Sequence, residues 1–292
     1  MKKPTYNSQW AESWKLSYHY DVLEFFGGTD NLGYTYAFQS RFSQTISAIG
    51  RHVLAGANVI DIASAQGNFS LRLAELGYTV TWNDLRAELV DYVKLKYETG
   101  TLNYAPGNCF DLGFQAEFDA AIVTEIIEHV AHPDLFLQQI ASLVKPGGYI
   151  IMTTPNGEYF RNNLPRFSDC ADPSVFEEIQ FKPDGDGHIF LLHRDEIESL
   201  ASKADLAVIE LKFFTNPLTA GHLKTRHLLR LFPKLVVDFF EGLSATQQGK
   251  FLARINSHTL TVLQKPNRPT QNALGFTSHC SANNSVLNKI AL

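Results

Sequence analysis

The chain has 292 residues, of which 45% are hydrophobic and 19% charged, with a formal net charge of -5 and a pI near 6.1. That length holds one large domain with a full core, and the acidic balance provides no overall basic field for nucleic acid. Cys109, Cys170 and Cys280 form no CxxC and no pairing framework, which excludes zinc-finger and disulfide-scaffold folds; with no signal-like N-terminus and no run of about 18 apolar residues, the sequence predicts no transmembrane segment and a cytoplasmic protein.

In chain order, residues 1–50 are rich in aromatics such as Trp10, Trp14, Tyr18, Phe25 and Phe38 and close in a helical pattern through Phe42, Ile46 and Ile49. They predict a helical N-terminal cap whose rings pack the cap or line a pocket. Residues 51–265 then alternate as an α/β domain does. Strands are predicted at 58–63, 78–83, 102–105, 118–124 and 148–153, and helices at 67–76, 86–98 and 133–144. Lys145-Pro146-Gly147-Gly148 ends the last of these helices, since proline cannot continue it and glycine supplies a positive φ.

The pattern then breaks into an insertion at 156–187 that reads as a lid or substrate loop. A helix at 194–204 and strands at 206–213 and 258–263 complete the domain, with a helical insertion at 214–256 between the last two strands. That insertion interleaves Lys224, Arg226, Arg230 and Lys234 with leucines and Phe232, as either a capping helix with a solvated basic face or a surface for RNA, anionic lipid or a charged substrate. The Asn/Ser/Pro-rich residues 266–292 read as a flexible tail. The fold class predicted is α/β: a Rossmann-like, seven-stranded, mainly parallel sheet with helices on both faces.

The chemistry concentrates at the C-terminal ends of these strands. Val59-Ile60-Asp61-Ile62-Ala63-Ser64-Ala65-Gln66-Gly67 is an apolar strand that ends in an acid and opens through small residues into a helix, and the next strand ends at Asp84, where a carboxylate can accept from two ribose hydroxyls. This is a nucleoside-binding arrangement. Over roughly residues 50–265 it resembles the class I S-adenosylmethionine-dependent methyltransferases. The run from Phe118 to Val130, with Lys145-Pro146-Gly147-Gly148 and Thr153-Thr154-Pro155-Asn156, resembles their ubiquinone-biosynthesis O-methyltransferase branch.

The resemblance implies S-adenosylmethionine as cofactor. It places Asp61, Ala63, Ala65 and Gly67 in the turn beside it, with alanine at two of the family's three glycine positions. Asp84 and Leu85 would lie at the ribose, Asn108, Cys109 and Phe110 around the adenine, and Thr124 and Glu125 at the methionine portion or the substrate.

A hydroxyl acceptor needs its proton removed or its oxygen polarised. Glu125, Glu128 and His129 are spaced for one face of a helical turn. Three readings stand together. His129 is a general base oriented by Glu128; or Glu125, Glu128, His129 and His188 hold a divalent metal, a set similar to that of the RNA 3′-terminal 2′-O-methyltransferases; or these residues only shape the sheet edge. His132, before Pro133, reads as a loop residue. The function expected is methyl transfer to a hydroxyl of a small or medium-sized metabolite, with a metal-dependent RNA 2′-O-methyltransferase and a non-catalytic protein on a decayed fold as rivals. The acidic balance speaks against nucleic acid as the partner.

Overall fold

The structure, a computed structural model, describes residues 1–180, 187–223, 225–245 and 249–267. Most of the tail expected over 266–292, part of the 156–187 insertion and Lys224 of the basic stretch lie outside the described residues.

Two helices, α1 (Glu12–Glu24) and α2 (Leu32–His52), precede the sheet. Strands β1 (Asn58–Ile62), β2 (Thr79–Trp82), β3 (Thr101–Tyr104), β4 (Phe118–Thr124), β5 (Val144–Pro155), β6 (Ala207–Phe214) and β7 (His258–Gln264) form one seven-stranded sheet in the order β3-β2-β1-β4-β5-β7-β6. The first five are parallel, and β7 runs antiparallel to both β5 and β6. Helices α3 (Asn68–Glu75), α4 (Leu89–Lys96), α5 (Pro133–Leu143) and α6 (Arg194–Lys203) connect them. Between β6 and β7 lie a short 3-10 helix (Thr225–Arg230), α7 (Lys234–Ser244) and α8 (Lys250–Ile255).

Strand β4 is apolar from Ala120 to Val123 because both of its faces are covered there. Ala121 and Val123 pack into the cluster with Phe136, Ile140 and Ile197, while Ala120 and Ile122 pack into the one with Ile49, Leu73 and Phe214. The α/β core thus has a layer on each face of the sheet, and the loops after β1, β2 and β4 meet at one edge.

Two elements differ from their predicted bounds for local reasons. Helix α4 starts at Leu89 rather than at 86, because the Arg86 N–H and guanidinium both donate to Asp84 and hold that segment in a turn. Lys145-Pro146-Gly147-Gly148 does end α5, but it lies within β5 as an irregularity: Phe118 pairs with Val144 and Ala120 with Tyr149, while Gly147 takes φ 81°. A side chain at Gly148 would stand 2.7 Å from the Asp119 carbonyl, so the strands close on each other only over glycine.

Candidate active site

The turn after β1 is built on alternating left-handed residues: Ala63 at φ 51°, Ala65 at 48° and Gly67 at 74°. Both alanines therefore adopt the conformation for which glycine is the usual residue. Gly67 is further constrained, since a Cβ there would lie 3.0 Å from the Val93 side chain and 3.2 Å from Trp82. Bonds from outside hold the turn: Ser64 N–H donates to the Asn83 carbonyl (2.8 Å), the Trp82 indole to the Ala65 carbonyl (3.1 Å), and Ala65 N–H to Asp84 Oδ2 (2.8 Å).

Asp61 is buried beneath the turn and accepts from Ser70 Oγ. Burial pushes its carboxyl up to about 6, against the pull of the Ser70 and Ser64 hydrogen bonds. Asp84, also buried, is gripped by Arg86, with Nε 2.9 Å from Oδ1 and a terminal nitrogen 3.0 Å from Oδ2. Beyond Asp84, Leu85 is exposed and Asn108 closes a local turn, accepting from Phe110 N–H and donating to Asp111. Phe110 packs edge-on against Phe136. Cys109 is fully buried in the core, which pushes its thiol up to about 12, so its side chain packs rather than reacts.

A cavity of about 220 Å³ opens over this turn, lined among others by Asp61, Ala63, Ala65, Thr124 and Glu125 and by Glu24, Phe38 and Arg41 of the cap. The cap is bonded to the turn directly. Glu24 Oε2 accepts from Gln66 (2.9 Å) and Asn68 (2.7 Å), the residues on either side of Gly67, and Tyr34 donates to Oε1. The turn, the cavity over it and the acid at the end of β2 suit the amino-acid and nucleoside halves of S-adenosylmethionine. Arg41 adds a guanidinium whose Nε has no hydrogen-bond partner among the described residues, a donor suited to the ligand's carboxylate.

The chain leaves β4 through Glu125 at φ 56°, a left-handed position for a non-glycine residue at the mouth of this cavity. Its carboxylate accepts from Thr153 Oγ1 (2.9 Å) and lies 3.3 Å from Arg41 and 3.5 Å from His258. Burial works to raise its pKa, but Arg41 and then His258 outweigh it and hold the group down to about 2. Three residues on, in a 3-10 turn over Ile127–His129, Glu128 is fully buried. Oε2 accepts from Thr154 Oγ1 (2.8 Å), whereas Oε1 has no partner among the described residues. Burial, then the neighbouring Glu125 charge, pushes this carboxyl well above the ordinary range.

Ligand atoms of Glu128, His129 and His188 all lie within 4.8 Å of one another. His188 arrives from beyond the 156–187 insertion, tied in by Ile189 N–H donating to the Glu128 carbonyl at 2.7 Å. The structure thus brings three of the four candidate metal ligands together, and Glu125 stands apart in its ion pair with Arg41. His132 pairs with Glu177 at 3.1 Å, outside that group.

His188 also lines a larger cavity of about 490 Å³, together with Tyr159, Arg161, His222 and His258 among others. Tyr159 OH lies 2.7 Å from His222 Nδ1, and burial lowers the His222 pKa while raising that of the phenol, so the hydrogen bond joins a neutral phenol and a neutral imidazole. Sequence reasoning missed Glu24, Arg41, Tyr159, His222 and His258 as site residues. No spacing marks them, because they come from α1, α2, the insertions and β7; a glutamate and an arginine within the aromatic cap were the available signal.

The chain belongs to the S-adenosylmethionine-dependent methyltransferase family: a family model described as a methyltransferase domain matches residues 34–211. Its relatives include the ubiquinone biosynthesis O-methyltransferases of Xanthomonas euvesicatoria, 37% identical over 107 residues (35% of this chain, 45% of that one), and of Xanthomonas campestris, 36% identical over 144 residues (42% and 60%). The match therefore spans about half the length of these relatives. Among solved structures, a SAM-dependent methyltransferase from Archaeoglobus fulgidus (TM-score 0.52, 14% identity, covering 85% of this chain and 99% of that one) and the cyclase SpnF (0.53, 16%, 87% and 96%) share the fold. A cyclase among them shows that this fold alone does not fix the reaction.

Proposed function

We propose that this chain transfers a methyl group from S-adenosylmethionine to a hydroxyl of a small or medium-sized metabolite. The observation that carries the reading is the Glu128, His129 and His188 group, whose His188 also lines the cavity with Tyr159, Arg161, His222 and His258. The donor supplies a methyl on a cationic sulfur, and much of the rate comes from aligning the acceptor oxygen with it and excluding water. Asp84 would accept from the ribose hydroxyls, Arg41 would pair with the ligand carboxylate, and Glu125, ionised at neutral pH, fixes Arg41 and His258.

A buried carboxylate oxygen without a partner among the described residues and two imidazoles, all within 4.8 Å, are a donor set for a divalent cation. Glu128, His129 and His188 would hold it, and it would supply Lewis acidity to the acceptor hydroxyl. The names of the Xanthomonas relatives support oxygen as the acceptor atom.

The test is transfer from radiolabelled S-adenosylmethionine, by the purified chain, into lysate separated into small-molecule, RNA and protein fractions, with and without EDTA. Label in the small-molecule fraction is expected, with EDTA and His188→Ala each cutting it at least about ten-fold. EDTA-sensitive label in RNA would replace the metabolite reading by the RNA one. EDTA-indifferent turnover without metal by elemental analysis would leave the His129 and Glu128 pair as the base. Failure to bind S-adenosylhomocysteine would refute the enzymatic reading.

A further inference from the structure

Helix α7 is packed against the domain with its polarity reversed. Its buried residues are Val237 and, one turn on, Glu241. The Glu241 carboxylate accepts from the backbone N–H groups of Thr215 and Asn216 and from the side chains of Asn216, Thr219 and Ser40. A buried carboxylate with that many donors fixes the rotation of the helix, since turning it outward would leave them all unsatisfied. The opposite face is apolar: Leu235 is 81% exposed, Phe239 63% and Leu243 62%, one turn apart from each other, with Phe240 beside Phe239. Leu231, one turn before α7, and Phe251 on α8 are 77% and 74% exposed.

Large aromatic side chains each present on the order of 150–250 Å². The stripe on α7 therefore belongs with the extended apolar patches that mark interaction surfaces rather than with scattered surface leucines. Its charge identifies the occupant. Residues 222–255 carry Lys224, Arg226, Arg230, Lys234, Lys250 and Arg254 against only Asp238 and Glu241, in a chain of net charge -5. Glu241 is buried in its hydrogen bonds, and Asp238 is paired with Lys234 at 2.7 Å. Arg230, Lys250 and Arg254 are exposed and make no ion pair among the described residues.

We propose that α7, with Leu231 before it and Phe251 after it, is a peripheral docking surface for an anionic lipid bilayer, the helix lying in the plane of the interface. Leucine and phenylalanine enter the acyl boundary while lysine and arginine meet the headgroups. A second copy of this chain is a poorer occupant, because a two-fold interface would set the same cationic segment against itself. The surface is separate from the donor and acceptor cavities, so it stands or falls independently of the acceptor.

Flotation of the full chain with vesicles of phosphatidylcholine and phosphatidylglycerol, and with phosphatidylcholine alone, tests it. The chain is expected to float with the anionic vesicles, less with the neutral ones, and less at high salt. Phe239→Ser with Phe240→Ser should lower the partition coefficient about ten-fold or more, and Arg230→Glu with Lys250→Glu should remove the preference for phosphatidylglycerol. Unchanged circular dichroism melts would show that these exposed substitutions leave the fold intact. A wild-type chain that stays unbound, a phenylalanine variant that floats as well as wild type, or a dimer that the same variant dissociates without any vesicle binding would each overturn the proposal.

Discussion

Lys96 and Asp21 form a fully buried ion pair that joins α4 to α1. Lys96 Nζ donates to both Asp21 oxygens (2.7 and 2.8 Å) and to Asn68 Oδ1 (2.6 Å), and Tyr92 OH donates to Asp21 Oδ2 (2.6 Å). Burial lowers the Lys96 pKa against the pull of Asp21, so desolvation consumes much of the Coulomb gain. Removing one partner is a different matter, because it strands the other charge. Lys96→Met leaves Asp21 buried with the Tyr92 hydroxyl, and Asp21→Leu leaves Lys96 with Asn68, the face of the Tyr92 ring and the more distant Glu24 charge; each is expected to cost about 3–5 kcal/mol. The double variant removes both charges and orphans only neutral groups, at roughly 1–3 kcal/mol each. Its loss should therefore fall well short of the summed single losses, with a coupling of about 3 kcal/mol. Urea denaturation followed by circular dichroism gives the cycle. Because Asn68 also donates to Glu24 beside the Gly67 turn, calorimetric titration with S-adenosylhomocysteine should show weaker binding in the single variants as well. Losses that add to within about 0.5 kcal/mol would refute the reasoning.

Three further outcomes are expected. Asp84→Asn keeps the shape but loses the charge, and should weaken S-adenosylhomocysteine about ten-fold or more by calorimetry; an unchanged affinity would remove Asp84 from the ribose site. Ala63→Gly and Ala65→Gly relieve left-handed backbone in residues that carry a Cβ and should each stabilise by up to about 1 kcal/mol, read as a rise in the urea midpoint; a fall would mean that the turn gains nothing from glycine. Asp61, with its folded pKa raised to about 6 from 3.8, binds more protons folded than unfolded between those values, so its contribution to stability falls as pH rises through that window and is flat above it. Asp61→Asn should accordingly gain stability relative to wild type from pH 4 to pH 7, and thermal melts that run parallel across that range would contradict the shift.

The elements that carry period and punctuation were legible in the sequence. An apolar strand, a small-residue turn and an acid one strand later are local signals, and the structure bears them out down to the Ala65 N–H bonded to Asp84. The same reading missed the start of α4, because whether Arg86 begins a helix depends on where its guanidinium goes, and it goes back to Asp84. It missed Arg41 and His258 for a stronger reason. Glu125 meets them from positions 84 residues before and 133 after in the chain, and no local pattern encodes that meeting.

Helix α7 marks the limit most clearly. Its leucines and phenylalanines, read by periodicity alone, would face a core, and its glutamate would face water. The structure reverses both, because Thr215, Asn216 and Thr219, just after β6, present a cluster of donors that the Glu241 carboxylate accepts from. Amphipathic period gives the existence of two faces, but the neighbouring element decides which is inside. Here the neighbour is polar, and the apolar face is the exposed one.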